Sequence, residues 1–158
     1  MTRIEDKALS ELTTIRVGGK PAEIFVAKTR DDLIEHTLNV WRSGENWLVL
    51  GGGSNIVAAD DVSSYRVIKV ENTGIEPVRN KDESRVVVRV QAGENWDDFV
   101  SHTIKAGLAG IEAMSGIPGT VGAAPVQNIG AYGQELSDCM LRLEFLDYET
   151  HEVAVLEA

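Results

Sequence analysis

From Ala113 to Gln134 the chain carries no ionisable side chain except Tyr132, and this uncharged run limits the fold more than any other feature. It is long enough to cross a bilayer, which takes about 20 apolar residues. Pro118, Pro125, Gln127 and Asn128, with Gly116, Gly119, Gly122, Gly130 and Gly133, argue against that, because in hydrocarbon they would leave backbone groups unpaired. A neutral segment folded against something polar fits the composition, and no membrane partner is expected.

The whole chain has 158 residues, the size of one folding unit, and its 43% hydrophobic and 25% charged residues suffice for a buried core. Fifteen Lys and Arg against 25 Asp and Glu give a net charge of −10, so no basic surface is available to release counterions from DNA or RNA. Nucleic acid is therefore not an expected partner. The single Cys139 cannot form an internal disulfide, and the polar start Met1 to Asp6 lacks the apolar stretch of a secretory signal, which predicts a cytoplasmic protein.

Upstream of the uncharged run, Ile24 to Ala27 reads as a strand, followed by a helix capped by Thr29 and ended by Gly44, with Leu33, Ile34, Leu38 and Trp41 facing inward. Trp47 to Leu50 is a short strand running directly into Gly51-Gly52-Gly53-Ser54-Asn55, which completes a βαβ-like unit. Val67 to Val70 and Val86 to Val90 read as further strands. Asn95 caps a second helix, with Phe99, Val100, Thr103 and Ile104 inward and its end at Gly107, and Leu141 to Tyr148 with Glu152 to Leu156 reads as a hairpin.

Three consecutive glycines after a strand let the backbone approach a ligand closely and turn several N–H groups one way, which holds phosphate oxygens without cationic side chains. Ser54 and Asn55 add side-chain donors. Ile56 stands where a dinucleotide fingerprint needs its last glycine, and Gly19-Lys20 is followed by Pro21 rather than Ser or Thr, so neither a Rossmann nor a Walker A loop is present. Alone, Gly51 to Asn55 reads equally well as a tight surface turn. In the second segment, Gly116, Gly119 and Gly122 recur every third residue among small side chains, and Gln127, Asn128 and Tyr132 add polar groups in an apolar setting, the make-up of a small-molecule pocket or of a packed structural loop. Two such loops in one chain favour a neutral-walled site for a large ligand whose phosphates are held by backbone.

Leu50-Gly51-Gly52-Gly53-Ser54-Asn55-Ile56 and the stretch from Ile117-Pro118-Gly119-Thr120-Val121-Gly122 to Gln127-Asn128-Ile129-Gly130-Ala131-Tyr132-Gly133 closely resemble the UDP-N-acetylenolpyruvoylglucosamine reductase family, flavoenzymes of peptidoglycan precursor synthesis. Leu12 to Gly19 resembles that family's amino-terminal motif, and Gln91 to Trp96 resembles its sequence ahead of the next helix, so the likeness spans nearly the whole chain.

The resemblance implies an α+β fold, an FAD-binding domain of the vanillyl-alcohol-oxidase type made of two small α+β lobes, about 1–72 and 84–158, with the flavin between them. It implies that Gly51, Gly52, Gly53, Ser54 and Asn55 line the pyrophosphate and that Ile117, Pro118, Gly119, Gly122, Ala123 and Gln127 follow the dinucleotide, with Ile129 and Gly130 towards the isoalloxazine. Some relatives carry Ser-Ser where this chain has Ala123-Ala124, so a hydroxyl contact there is expected to be replaced by backbone N–H or water. In the family NADPH delivers hydride to FAD, and the reduced flavin passes it to the enolpyruvyl carbon of a UDP-sugar. Family members run on through a substrate-binding region with an arginine, a glutamate and a proton-donating serine. No residue of this sequence matches those, so no catalytic residue is assigned, and the chain alone is expected to lack turnover and to self-associate through uncovered apolar surface.

Other candidates are weaker. His36, His102 and His151 have no ligand spacing, which points to surface or capping roles and to no metal site. Cys139 beside Asp138 reads as an inert, buried or half-buried thiol, and Trp41, Trp47 and Trp96 as core bulk. Ser54, Ser101 and Ser115 lack a nucleophile elbow. The competing readings are a flavin- or nucleotide-binding module without turnover and a different oxidase of the same flavin superfamily, against which Gln127 to Gly133 argues.

Overall fold

A computed structural model describes residues 2–4, 6–79 and 84–158, so Met1 and Glu5 of the polar start and Asn80 to Glu83 between the two expected lobes lie outside the described residues. In chain order the elements are β1 (Thr2–Ile4), β2 (Glu23–Ala27), α1 (Arg30–Ser43), β3 (Asn46–Leu50), β4 (Tyr65–Val70), β5 (Ile75–Val78), β6 (Val87–Val90), α2 (Trp96–Lys105), β7 (Gly130–Ala131), β8 (Gln134–Glu135), β9 (Arg142–Leu146) and β10 (Val153–Glu157). The mixture is α+β, as the sequence predicts.

One sheet has four strands in the order β1-β2-β4-β3, and β4 runs parallel to both β2 and β3. The βαβ-like unit therefore exists, but β4 inserts between its two strands. The connection from β3 to β4 carries the first glycine loop, which is why that loop leaves the end of the parallel strands of this mixed sheet. Leu9, Ile24, Leu50, Val62 and Val67 form the buried cluster of this part. A second cluster, Trp96, Val100, Ile111, Met114 and Ala124, lies downstream, with Ile117, Val121 and Ile129 packed on it.

The helix boundaries follow the capping chemistry. Thr29 Oγ1 accepts from the Asp32 amide at 3.1 Å, Gly44 closes α1 at φ 70°, and Asn95 Oδ1 accepts from the Asp98 amide at 3.1 Å at the start of α2. The inward faces differ from expectation. On α1 the buried residues are His36, Thr37 and Val40, while Leu33, Ile34, Leu38 and Trp41 are only half-buried. The face is set by which positions cross the sheet, and a small Thr, a β-branched Val and a flat imidazole fit there. On α2 the buried stripe is Trp96, Val100 and Thr103, spaced i, i+4, i+7, and Ile104 falls to the flank at 49% exposure.

The terminal hairpin is present, with Val153 opposite Leu146 and Glu157 opposite Arg142. The hairpin reaches back to the first half of the chain: Tyr148 in its turn meets the Trp41 ring edge-on at 5.0 Å and the Trp47 ring at 5.9 Å, and Glu144 of β9 lies 3.6 Å from Arg30. Three pairings were not legible in sequence: β1 along β2, β5 along β6 in spite of Pro77, and the two-residue hairpin β7-β8. Ile68 is fully buried at the middle of the central strand. Ile68→Ala is expected to lower the unfolding free energy by about 2–5 kcal/mol, read as a lower urea midpoint at unchanged slope.

Candidate functional site

The two glycine loops meet. A Cβ on Gly52 would stand 2.9 Å from the Gly119 Cα, so the backbones touch where neither residue has a side chain. A Cβ on Gly51 would stand 2.7 Å from Thr120 Oγ1 and 3.6 Å from the Ala123 Cβ, and the Ser54 hydroxyl donates to the Pro118 carbonyl at 3.3 Å. Gly53, at φ 70°, is closed on its other side by Leu12 and Thr13, and its carbonyl accepts from the Thr14 amide at 3.0 Å. Two stretches far apart in sequence, residues 12–14 and 118–123, thus converge on residues 51–54.

The second loop is tied at both ends. The Trp96 amide donates to the Gly119 carbonyl at 3.1 Å, the Val121 amide to Glu94 at 2.9 Å and the Gly122 amide to Ala92 at 2.8 Å. At its start, Asp97 Oδ1 accepts from the Ser115 hydroxyl and the Gly116 amide, both at 2.7 Å. The Ser115 hydrogen bond first, and the Gly116 amide second, hold the Asp97 carboxyl below the usual aspartate range. Upstream, Gly93 packs on Asn72, whose amide side chain donates to Gln91 Oε1 at 3.0 Å, and Glu94 accepts from the Gly74 amide at 2.9 Å. These bonds fix the second loop to the end of β4.

Among the described residues, the amides of Gly51, Gly52, Gly53, Ser54, Asn55, Gly119 and Thr120 donate to no carbonyl or side chain. Seven amides without protein partners thus lie on the two loops around one glycine contact, free to donate to water or to an anion. The amides of Gly122 and Ala123 are already used within the protein. Ile117 and Ile129 are half-buried on the second cluster, Pro118, Gln127 and Gly130 are exposed, and Tyr132, at the tip of the β7-β8 turn, is 94% exposed.

Sequence reasoning missed Lys69. Its Nζ donates to the Gly51 carbonyl, so a cation stands behind a loop expected to have neutral walls. Burial lowers the pKa of this amine, with Glu71 opposing. The signal was a lysine inside the β-branched run of a central strand, where charge is costly. Thr120, buried beside Gly51, was missed as well.

Other expectations are corrected or refined. His36 is neither at the surface nor a cap: it is 2% exposed and stacks on Phe25 at 5.3 Å, because α1 lays that position on the sheet. Cys139 is exposed rather than buried. Shielding of its sulfur, with the Asp138 charge second, raises its thiol pKa, and the thiol donates to the Leu136 carbonyl at 3.3 Å. Trp96 is core, whereas Trp47 is 37% exposed. Among the described residues no three His, Cys, Asp or Glu side chains gather to hold a metal ion, and no helix is long and apolar enough to cross a membrane.

Residues 21–156 match the model of a family described as FAD binding domain. UDP-N-acetylenolpyruvoylglucosamine reductase of Leifsonia xyli is 52% identical over 149 residues, which cover 94% of this chain and 39% of that protein. The enzyme of the same name from Thermobifida fusca is 43% identical, covering 95% of this chain and 42% of its own length. The crystal structure of UDP-N-acetylenolpyruvylglucosamine reductase (MurB) from Thermus caldophilus aligns with a TM-score of 0.73 at 28% identity, over 99% of this chain and 52% of that one. The chain thus spans about two fifths of the length of the curated relatives it matches.

Gly52→Ala is expected to force the two loops apart and to lower stability by about 1–3 kcal/mol, measured by urea unfolding. The depressed Asp97 carboxyl contributes stability that is present above the ordinary aspartate value near 4 and is lost as pH falls through its lower folded value. Asp97→Asn is therefore expected to remove part of the acid dependence below about pH 4, seen in stability measured against pH.

Proposed function

Since the chain belongs to the FAD binding domain family, we propose that it is the FAD-holding part of a reductase that acts on UDP-N-acetylglucosamine enolpyruvate to give UDP-N-acetylmuramate. The observation that carries the reading is the set of unpaired amides where Gly52 meets Gly119. A diphosphate suits such a site: it is anionic, it accepts from several N–H groups at once, and it needs a bare backbone to approach. A Cβ on Gly52 would meet the Gly119 backbone and one on Gly119 the Ser54 hydroxyl, so the two glycines are what lets the loops close on each other.

In this reading Gly51, Gly52, Gly53, Ser54 and Asn55 hold the pyrophosphate from the side of the parallel sheet, and Pro118 and Gly119 from the other. Ile117, Gly122, Ala123, Gln127, Ile129 and Gly130 extend the seat along the dinucleotide. Ala123, without a hydroxyl, offers no side-chain hydrogen bond there. The lobes are about 1–72 and 84–158, a division supported by the two separate buried clusters. When bound, FAD supplies the hydride chemistry; this chain's residues bind and orient it. NADPH is the proposed hydride donor, a UDP-linked sugar the substrate, and the cytoplasm the compartment of this step in cell-wall synthesis. Self-association through Val153, Val155 and Leu156 of β10, all exposed, belongs to the same reading.

The purified chain, incubated with FAD and desalted, is expected to keep visible flavin bands. A colourless protein that ignores added FAD overturns the reading. Flavin bound by a complete enzyme that still ignores the sugar nucleotide would leave a binding module only.

A further inference from the structure

We propose that Lys69 is a positioning residue: by holding the Gly51 carbonyl it locks the Gly51–Gly52 peptide plane so that the Gly52 amide is offered to the cofactor diphosphate. The inference rests on the flavin reading above and adds a residue to it that lies outside both glycine motifs.

The placement is unusual. Lys69 sits in β4 between Val26 of β2 and Leu50 of β3, flanked on both sides by parallel strands. An ammonium half-withdrawn from water there needs compensation. Its hydrogen bond runs to the Gly51 carbonyl, and among the described residues no carboxylate comes within ion-pair distance of it.

The consequence follows from peptide geometry. In a trans peptide the carbonyl of one residue and the N–H of the next point in opposite directions. A cation fixed on the Gly51 oxygen therefore turns the Gly52 N–H away from itself. Both residues flanking this peptide are glycines, so no Cβ opposes a rotation of the plane that would exchange donor for acceptor at the junction. A carbonyl in place of that N–H would repel phosphate. The ammonium supplies the restraint that the side chains do not, and by polarising the peptide it strengthens the N–H as a donor. The Gly52 amide has no protein partner among the described residues, and Gly52 is exposed.

FAD titrations followed by flavin fluorescence, with thermal melts of the FAD-free chain, test this on wild type, Lys69→Met and Lys69→Arg. Lys69→Met is expected to weaken FAD binding about tenfold, or about 1.4 kcal/mol, while its FAD-free melting temperature stays equal or rises, since a half-buried charge has been removed. Lys69→Arg, which still donates, should recover most of the affinity. Unchanged affinity in Lys69→Met overturns the proposal. So does a joint loss of folding and affinity, which assigns the lysine a purely structural role. Failure of the wild type to bind FAD defeats the flavin reading instead. In that case the Gly52 amide resonance of the FAD-free chain decides: a shift or broadening in Lys69→Met supports the peptide lock, and an unmoved resonance overturns it.

Discussion

Two backbones can touch only where neither carries a Cβ, and the contact between Gly52 and Gly119 is the point on which the rest of the arrangement depends. One glycine leaves the end of a parallel strand, and the other lies in an uncharged loop before a helical turn. Their approach joins the sheet with the Leu9 cluster to the helix with the Trp96 cluster. Ligand sites favour such junctions, where two elements supply convergent groups without filling the space between them.

The chemistry offered there comes from main chain. Unpaired amides are tolerable at an exposed loop because water can serve them, and the same groups serve an anion equally well. What separates this from ordinary loop exposure is the effort spent on holding the loops still. Leu12 and Thr13 close on Gly53, Glu94, Trp96 and Asp97 clamp the second loop, and Lys69 grips the Gly51 carbonyl. A ligand that meets fixed donors loses less affinity to ordering them.

Much of the fold was legible. The caps at Thr29 and Asn95, the stop at Gly44 and the β-branched strands are local choices, written in adjacent residues. The candidate site was legible as motifs, because glycine spacing and absent charge are also local. The misread faces of α1 and α2 have one cause: periodicity marks which residues are apolar, while burial depends on the angle at which a helix crosses its neighbours. His36 and Thr37 are buried, and Ile104 is not, for that reason. Lys69 was missed because nothing beside it in sequence identifies the carbonyl it meets.

The sequence alone determined the neutral glycine loops, the helix ends and the strands, since each arises from the conformational range and hydrogen bonding of neighbouring residues. Tertiary structure decided that β4 would lie between β2 and β3, that residues 12–14, 51–54 and 118–120 would share one place, and that a lysine would stand behind a glycine peptide. Those outcomes depend on contacts between residues distant along the chain, which form only when strands pair and the two clusters exclude water together.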